Sequence, residues 1–239
     1  MNPEVIILST PEELAREAAQ LMIESCRESI VRRAKWRVAL TGGSSPVLLY
    51  KLLATPEYQA QIDWERTQVY FGDERAVGPD DERSNYRQAS ELLLSHVKAG
   101  EVFRMKGENP DLEAAAAEYA EQLGSEPLDC VLLGMGPDGH TASMFPGSPQ
   151  ASETERLCVA TPISPTDPPC RRITLTFPAL NAARLAFFTV AGGGKADLLA
   201  RVLNGDEQYP SARVRLNEGR LVWFLDDAAA SVWQKGRDV

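Results

Sequence analysis

Apolar residues occur along the chain in short runs of four or five, separated by longer stretches in which they recur every three or four positions. The short runs predict strands over 5–8, 37–40, 68–71, 102–105, 129–133, 157–160, 172–176, 186–190 and 221–225. The longer stretches predict helices, most clearly from residue 11 to about 33 and over 84–95, 112–123 and 195–203. Thr10, Pro11 and Glu13 supply an N-cap, a first-turn proline and a capping-box acid for the first of these. Ala114 to Ala117 make the third helical by propensity alone.

Strand and helix alternate throughout, which predicts an α/β fold: a doubly wound, mostly parallel sheet with helices on both faces. The alternation breaks near 157–176, where two strands are joined only through Pro162, Pro165, Pro168 and Pro169, so a small antiparallel excursion is expected there. With no repeat, low-complexity tract or linker, residues 1–239 read as one domain. Ligands of such sheets sit beyond the carboxyl ends of the strands, so the chemistry should lie in the loops that follow strands.

Composition removes several function classes. The 239 residues include 25 basic and 34 acidic side chains, a formal net charge of −9. With a pI near 4.9, the chain has no general attraction for nucleic acid or an anionic membrane, and any bound anion must meet a local basic pocket. The longest apolar run, 185–191 with Thr189 inside it, falls far short of the ~20 residues of a membrane span. Glu4, Glu12 and Glu13 near the amino terminus do not fit a secretion signal, so a cytoplasmic location is expected. Cys26, Cys130, Cys158 and Cys170 form no C-x-x-C pair and are expected to be reduced, mostly buried thiols. His96 and His140 are far apart, so no metal site is expected. Without a Walker or dinucleotide fingerprint, no organic cofactor is expected either.

Three strand-ending loops carry unusual residues. Thr41-Gly42-Gly43-Ser44-Ser45-Pro46 precedes a helix and suits either a phosphate cradle or a tight turn with Ser45 as N-cap. Gly72-Asp73-Glu74-Arg75, with Ser84-Asn85-Tyr86-Arg87 downstream, suits substrate hydroxyls or phosphate, although taken alone it reads as a surface ion-pair cluster. The third loop runs from Gly134 to Pro146 and contains Asp138 and His140. A histidine in a glycine-rich loop, two positions after an aspartate, is a natural general base whose imidazolium a carboxylate orients and stabilises. His96, near a helix carboxyl end, needs no such role. The nucleophile-elbow pattern G-x-S-x-G does not occur, so activated water is a simpler nucleophile than serine.

Together these segments resemble the 6-phosphogluconolactonase family. The resemblance rests on Leu40 to Ser44, Gly72 to Arg75, Ser84 to Arg87, Gly134 to Ser143, Arg172 to Thr176 and Gly194-Lys195, in the family's order, and it spans most of the chain. It implies a fold shared with the glucosamine-6-phosphate deaminases. Those carry a catalytic glutamate five residues after the equivalent histidine, in an N-E-P run. Here that position is Phe145, within Met144-Phe145-Pro146, which favours the lactonase. A catalytically silent sugar-phosphate sensor is a further alternative, but the chain has no basic extension to host a DNA-binding helix pair.

The resemblance implies hydrolysis of 6-phospho-D-glucono-1,5-lactone, with a small sugar-phosphate lactone as partner; a monomer would suffice. His140 would take a proton from water and return it to the leaving ring oxygen, while Asp138 would hold the imidazole in its working tautomer. Gly42, Gly43 and Ser44 would receive the phosphate, with Arg172 and Lys195 as cationic clamps matching the family's pattern. Arg75 and Arg87 are further candidates, and Asp73 would meet sugar hydroxyls. A lysine at a helix start opposes the helix dipole, so a bound anion explains Lys195 better than solvation does. Arg171 should face away from Arg172, since neighbours alternate along a strand.

Overall fold

Strand β1 (Glu4–Leu8) enters α1 (Pro11–Arg33) through the cap that the sequence predicts. Thr10 Oγ1 accepts from the Glu13 N–H at 3.2 Å, and the Glu13 carboxylate reaches back to the Ser9 N–H at 3.0 Å. The computed structural model describes residues 3–166 and 168–236. After α1 come β2 (Trp36–Leu40), α2 (Val47–Leu53), α3 (Pro56–Gln59), β3 (Thr67–Phe71), β4 (Asp73–Arg75), α4 (Asn85–Leu92), β5 (Glu101–Val102), α5 (Leu112–Leu123) and β6 (Cys130–Leu133). They are followed by β7 (Cys158–Ala160), β8 (Arg172–Leu175), α6 (Phe177–Asn181), β9 (Leu185–Val190), α7 (Ala196–Leu203), β10 (Arg220–Asp226) and α8 (Asp227–Lys235).

Seven strands form one sheet in the order β1-β10-β9-β6-β2-β3-β5, every neighbouring pair parallel. Successive side chains point to opposite faces, so each central strand feeds two core layers. On one face Val38, Leu40, Leu132 and Phe187 pack with Leu14, Ala18 and Met22 of α1 and Leu49 of α2. On the other, Ala39, Val131, Leu133 and Phe188 pack with Ala115 and Tyr119 of α5 and Leu199 of α7. Because helices cover both faces, the central strands are largely apolar, and all six residues of β9 are buried, Thr189 included. No helix among the described residues is long and apolar enough to cross a membrane.

A second, antiparallel sheet has the order β4-β8-β7. The expected excursion is β7 and β8. Its third strand corrects the sequence reading, since residues 73–75, expected in a loop, form β4. The chain changes sheets at Gly72, whose N–H donates to Leu40 O at 2.9 Å and whose carbonyl accepts from Leu175 N–H at 2.8 Å.

Two further elements are shorter than expected. The strand predicted over 102–105 pairs only at Glu101–Val102, on the sheet's edge. The helix predicted over 84–95 ends at Leu92 and continues as a 3₁₀ turn over Leu94–His96.

The main sheet has its switch point between β2 and β6, paired at Val38 with Cys130 and Ala39 with Val131. β2 leads toward β3 on one side, while β6 lies against β9 on the other. The loops after β2 and β6 therefore leave the sheet side by side and open a crevice at its carboxyl edge.

Candidate active site

The loops after β2, β6 and β9 and the strands β4 and β8 converge on a cleft of about 200 Å³. Gly42, Gly43 and Ser44 come from the loop after β2, Asp73 and Arg75 from β4, His140 from the loop after β6, and Lys195 from the turn after β9. Arg172 reaches the same cleft from β8, opposite Arg75 in the small sheet.

The His140 ring is held on two sides. Its Nδ1 lies 2.5 Å from Asp138 Oδ1, and the same oxygen accepts from the His140 backbone N–H at 3.2 Å. The ring also packs against Phe145, centroid to centroid 4.5 Å. It can lie this close to the loop only because residue 136 is glycine: a Cβ there would fall 2.1 Å from ring atoms Cε1 and Nδ1. Nε2 has no protein partner among the described residues. Burial alone would raise the Asp138 carboxyl, but the hydrogen bond and charge of His140 outweigh it and hold the group below the usual carboxylate range.

Lys195 and Arg75 are cations without counter-ions among the described residues. Lys195 Nζ donates to Met135 O at 2.6 Å, half-buried, and no described carboxylate lies within salt-bridge distance of it. Burial pushes its ammonium below the ordinary lysine range. Arg75 donates from one terminal nitrogen to Asn85 Oδ1 and likewise has no described carboxylate partner. A half-buried cation facing a cleft without a counter-ion is poised for an anionic ligand. The N–H groups of Gly42, Gly43 and Ser44 make no hydrogen bond to a described residue, which adds donors to that wall. The alternative of a tight turn capped by Ser45 is not realised, because Pro46 precedes α2 and no side chain caps it.

Arg172 and Asp73 form a buried ion pair at 3.4 Å, each side chain 8% exposed. The Arg172 guanidinium also donates to Ser164 Oγ at 3.3 Å and Thr166 Oγ1 at 3.0 Å, leaving two of its five N–H groups. Arg171, just before β8, is exposed, whereas Arg172 is buried.

Asp73 is more heavily engaged than the sequence suggests. Its carboxylate also accepts from Ser143 Oγ at 2.5 Å and Asn85 Nδ2 at 2.9 Å. It ties β4, α4, β8 and the His140 loop together and has little capacity left for sugar hydroxyls.

Arg87 is not brought to the cleft. It lies at the third position of α4, where its side chain turns toward Glu91 one turn on (2.7 Å) and to Asp80 O (2.9 Å), beside a separate surface hollow. Asn85, not singled out individually from the sequence, lines the cleft instead. It is almost wholly buried, and its Nδ2 also donates to Asp73 O at 2.8 Å. Its only signal in the sequence was membership of the Ser84-to-Arg87 segment.

Residues 9–223 match the family described as glucosamine-6-phosphate isomerases/6-phosphogluconolactonase. A 6-phosphogluconolactonase of Streptomyces coelicolor is 36% identical, covering 96% of this chain and 94% of its own. That of Rattus norvegicus is 37% identical, covering 95% and 92%. The crystal structure of 6-phosphogluconolactonase from Thermotoga maritima superposes with a TM-score of 0.83 at 30% identity, covering 94% of this chain and 99% of that one.

Proposed function

The chain belongs to the family of glucosamine-6-phosphate isomerases and 6-phosphogluconolactonases and is a lactone hydrolase of it, and we propose that it opens its lactone with water activated by His140. The reaction is hydrolysis of 6-phospho-D-glucono-1,5-lactone to 6-phospho-D-gluconate, in the oxidative pentose phosphate pathway. The observation that carries the mechanism is the division of labour on the imidazole: Nδ1 is committed to Asp138, and Nε2 is left for the cleft.

Neutral imidazole with its proton on Nδ1 presents Nε2 as a base. A water there loses a proton to Nε2 as its oxygen bonds to the lactone carbonyl carbon, and the carbonyl electrons move onto oxygen. When the tetrahedral intermediate collapses, the ring C–O bond breaks and Nε2 returns the proton to the departing ring oxygen. The new carboxylic acid then ionises, so one proton is released per turnover and the imidazole ends as it began. Asp138 stabilises the imidazolium between the two transfers.

At the other end of the substrate, the phosphate meets Lys195, the free N–H groups of Gly42 to Ser44, and the remaining donors of Arg172 and Arg75. Phe145, 3% exposed against the His140 ring, stands where the deaminases carry their glutamate, so the ring-opening proton carrier of that reaction has no counterpart here. We read the protein as one cytoplasmic domain acting on a small sugar-phosphate lactone; its four free cysteines, three of them buried, fit a reducing compartment.

The test is loss of 6-phosphogluconolactone against an enzyme-free control, with ammonia release from glucosamine-6-phosphate measured in parallel. Accelerated lactone loss with no ammonia is expected. Ammonia release at a comparable rate would overturn the assignment.

A further inference from the structure

Glu74 lies between two cleft residues on β4 but belongs to the opposite face of the strand, and it is 3% exposed. No cation pairs with it among the described residues. Its carboxylate instead takes four donors: the N–H groups of Arg75 and Asn85 on one oxygen, each at 2.8 Å, and Ser84 Oγ and Tyr86 N–H on the other, each at 2.9 Å. Ser84 is the N-cap of α4 and accepts from Arg87 N–H at 3.1 Å, so Ser84 and Glu74 together satisfy the helix's first three N–H groups. Burial raises the Glu74 carboxyl above its ordinary range, against the pull of these donors, but two donors on each oxygen is an arrangement that a carboxylate completes. Glu74 thereby fixes the backbone at Asn85, the first residue of α4. The Asn85 side chain in turn holds Arg75 through Oδ1 and Asp73 through Nδ2, and Asp73 holds Arg172.

We propose that Glu74 is a positioning residue for the lactonase reaction: a buried anion that seats the first turn of α4 so that Asn85 holds Arg75 and Asp73 in the cleft. This rests on the proposed function of the same cleft. Glu74 touches no substrate, and its effect passes through Asn85. Losing it should weaken binding of the sugar phosphate more than proton transfer at His140, whose ring is held by Asp138 and Phe145.

A double-mutant cycle with Glu74→Gln and Asn85→Ala tests this, read as KM and kcat for the lactone and as Kd for 6-phosphogluconate by calorimetry. Each single variant should raise KM and Kd by about tenfold or more while kcat stays within about threefold, and the double variant should be no worse than the poorer single one. Ala89→Gly, which weakens α4 without touching this arm, should lower Tm and leave KM unchanged. Wild-type KM and Kd in either single variant would overturn the proposal, as would penalties that multiply in the double variant. If Glu74→Gln does not fold, Asn85→Ala decides by itself. Lactone turnover by the unaltered protein tests the proposed function separately, since the calorimetric Kd reads the arm without turnover.

Discussion

Asn85 occupies the space that a side chain at position 42 would need: a Cβ built on Gly42 would lie 1.7 Å from Asn85 Oδ1 and 2.3 Å from its Cγ. The glycine after β2 and the first residue of α4 are thus fitted to each other across the cleft, and Gln88 Nε2 adds a hydrogen bond from α4 to Gly43 O at 2.8 Å. Asn85 cannot swing aside freely, because Asp73 and Arg75 hold its amide at both ends. Gly42→Ala should therefore expel it and strip partners from buried polar groups. A stability loss of about 1–3 kcal/mol and a KM at least about tenfold higher are expected, measured by denaturant titration and by initial rates. Wild-type values for both would show that Asn85 is free to move.

Among the described residues Lys195 has no counter-ion, and burial already depresses its ammonium. A depressed lysine loses its proton as pH rises through a range below that of an ordinary lysine, and the neutral amine cannot attract a phosphate. Affinity for 6-phosphogluconate should accordingly be full at neutral pH and fall on the alkaline side earlier than free lysine would predict. Lys195→Glu should raise KM well over tenfold, more than ~1.4 kcal/mol, chiefly through binding. Calorimetry across pH checks the first outcome and steady-state kinetics the second. A flat alkaline profile together with an unchanged KM would remove Lys195 from the site.

The places of Lys195 and of the His140 loop at the cleft were legible in the sequence, because both put residues with unusual chemistry where a parallel sheet puts its ligands. The main strands were legible for a related reason: burial on both faces makes β2, β6 and β9 largely apolar, interrupted only by Arg37 and Thr189. β4 gave no such signal, since it consists of Asp73, Glu74 and Arg75. It is a buried strand only because α4, β8 and the His140 loop bring partners to those charges. Arg75 and Arg87 looked alike in the sequence. Their different fates depend on α4 starting at Asn85, which turns Arg87 toward Glu91 and away from the cleft.

That separation is itself testable. Arg87→Ala removes an exposed ion pair of small worth and should leave KM and Tm close to wild type. Arg172→Met removes one half of a buried pair and leaves Asp73 without its cation. A stability loss approaching about 3–5 kcal/mol, together with weakened substrate binding, is expected from thermal unfolding and kinetics. A raised KM in Arg87→Ala with none in Arg172→Met would reverse the assignment of the two arginines.

The sharpest outcome concerns His140 and Asp138. If Nε2 is the base, His140→Ala should retain the fold and the affinity for 6-phosphogluconate while kcat falls by ~10²- to 10⁴-fold, with spontaneous lactone opening subtracted. The imidazole acts as a base only when neutral, so kcat/KM should fall on the acidic side. Asp138→Asn should lower kcat for want of an orienting carboxylate on Nδ1. The Asp138 carboxyl itself is held low by the hydrogen bond and charge of His140, against the effect of burial. The same carboxyl, depressed in the folded protein, contributes stability that is present above its unfolded pKa and lost as pH falls through its folded one. The Asp138→Asn variant should therefore lose less stability than wild type on acidification. Wild-type kcat in Asp138→Asn would break the coupling between the two residues, and wild-type turnover by His140→Ala would transfer the base to another group.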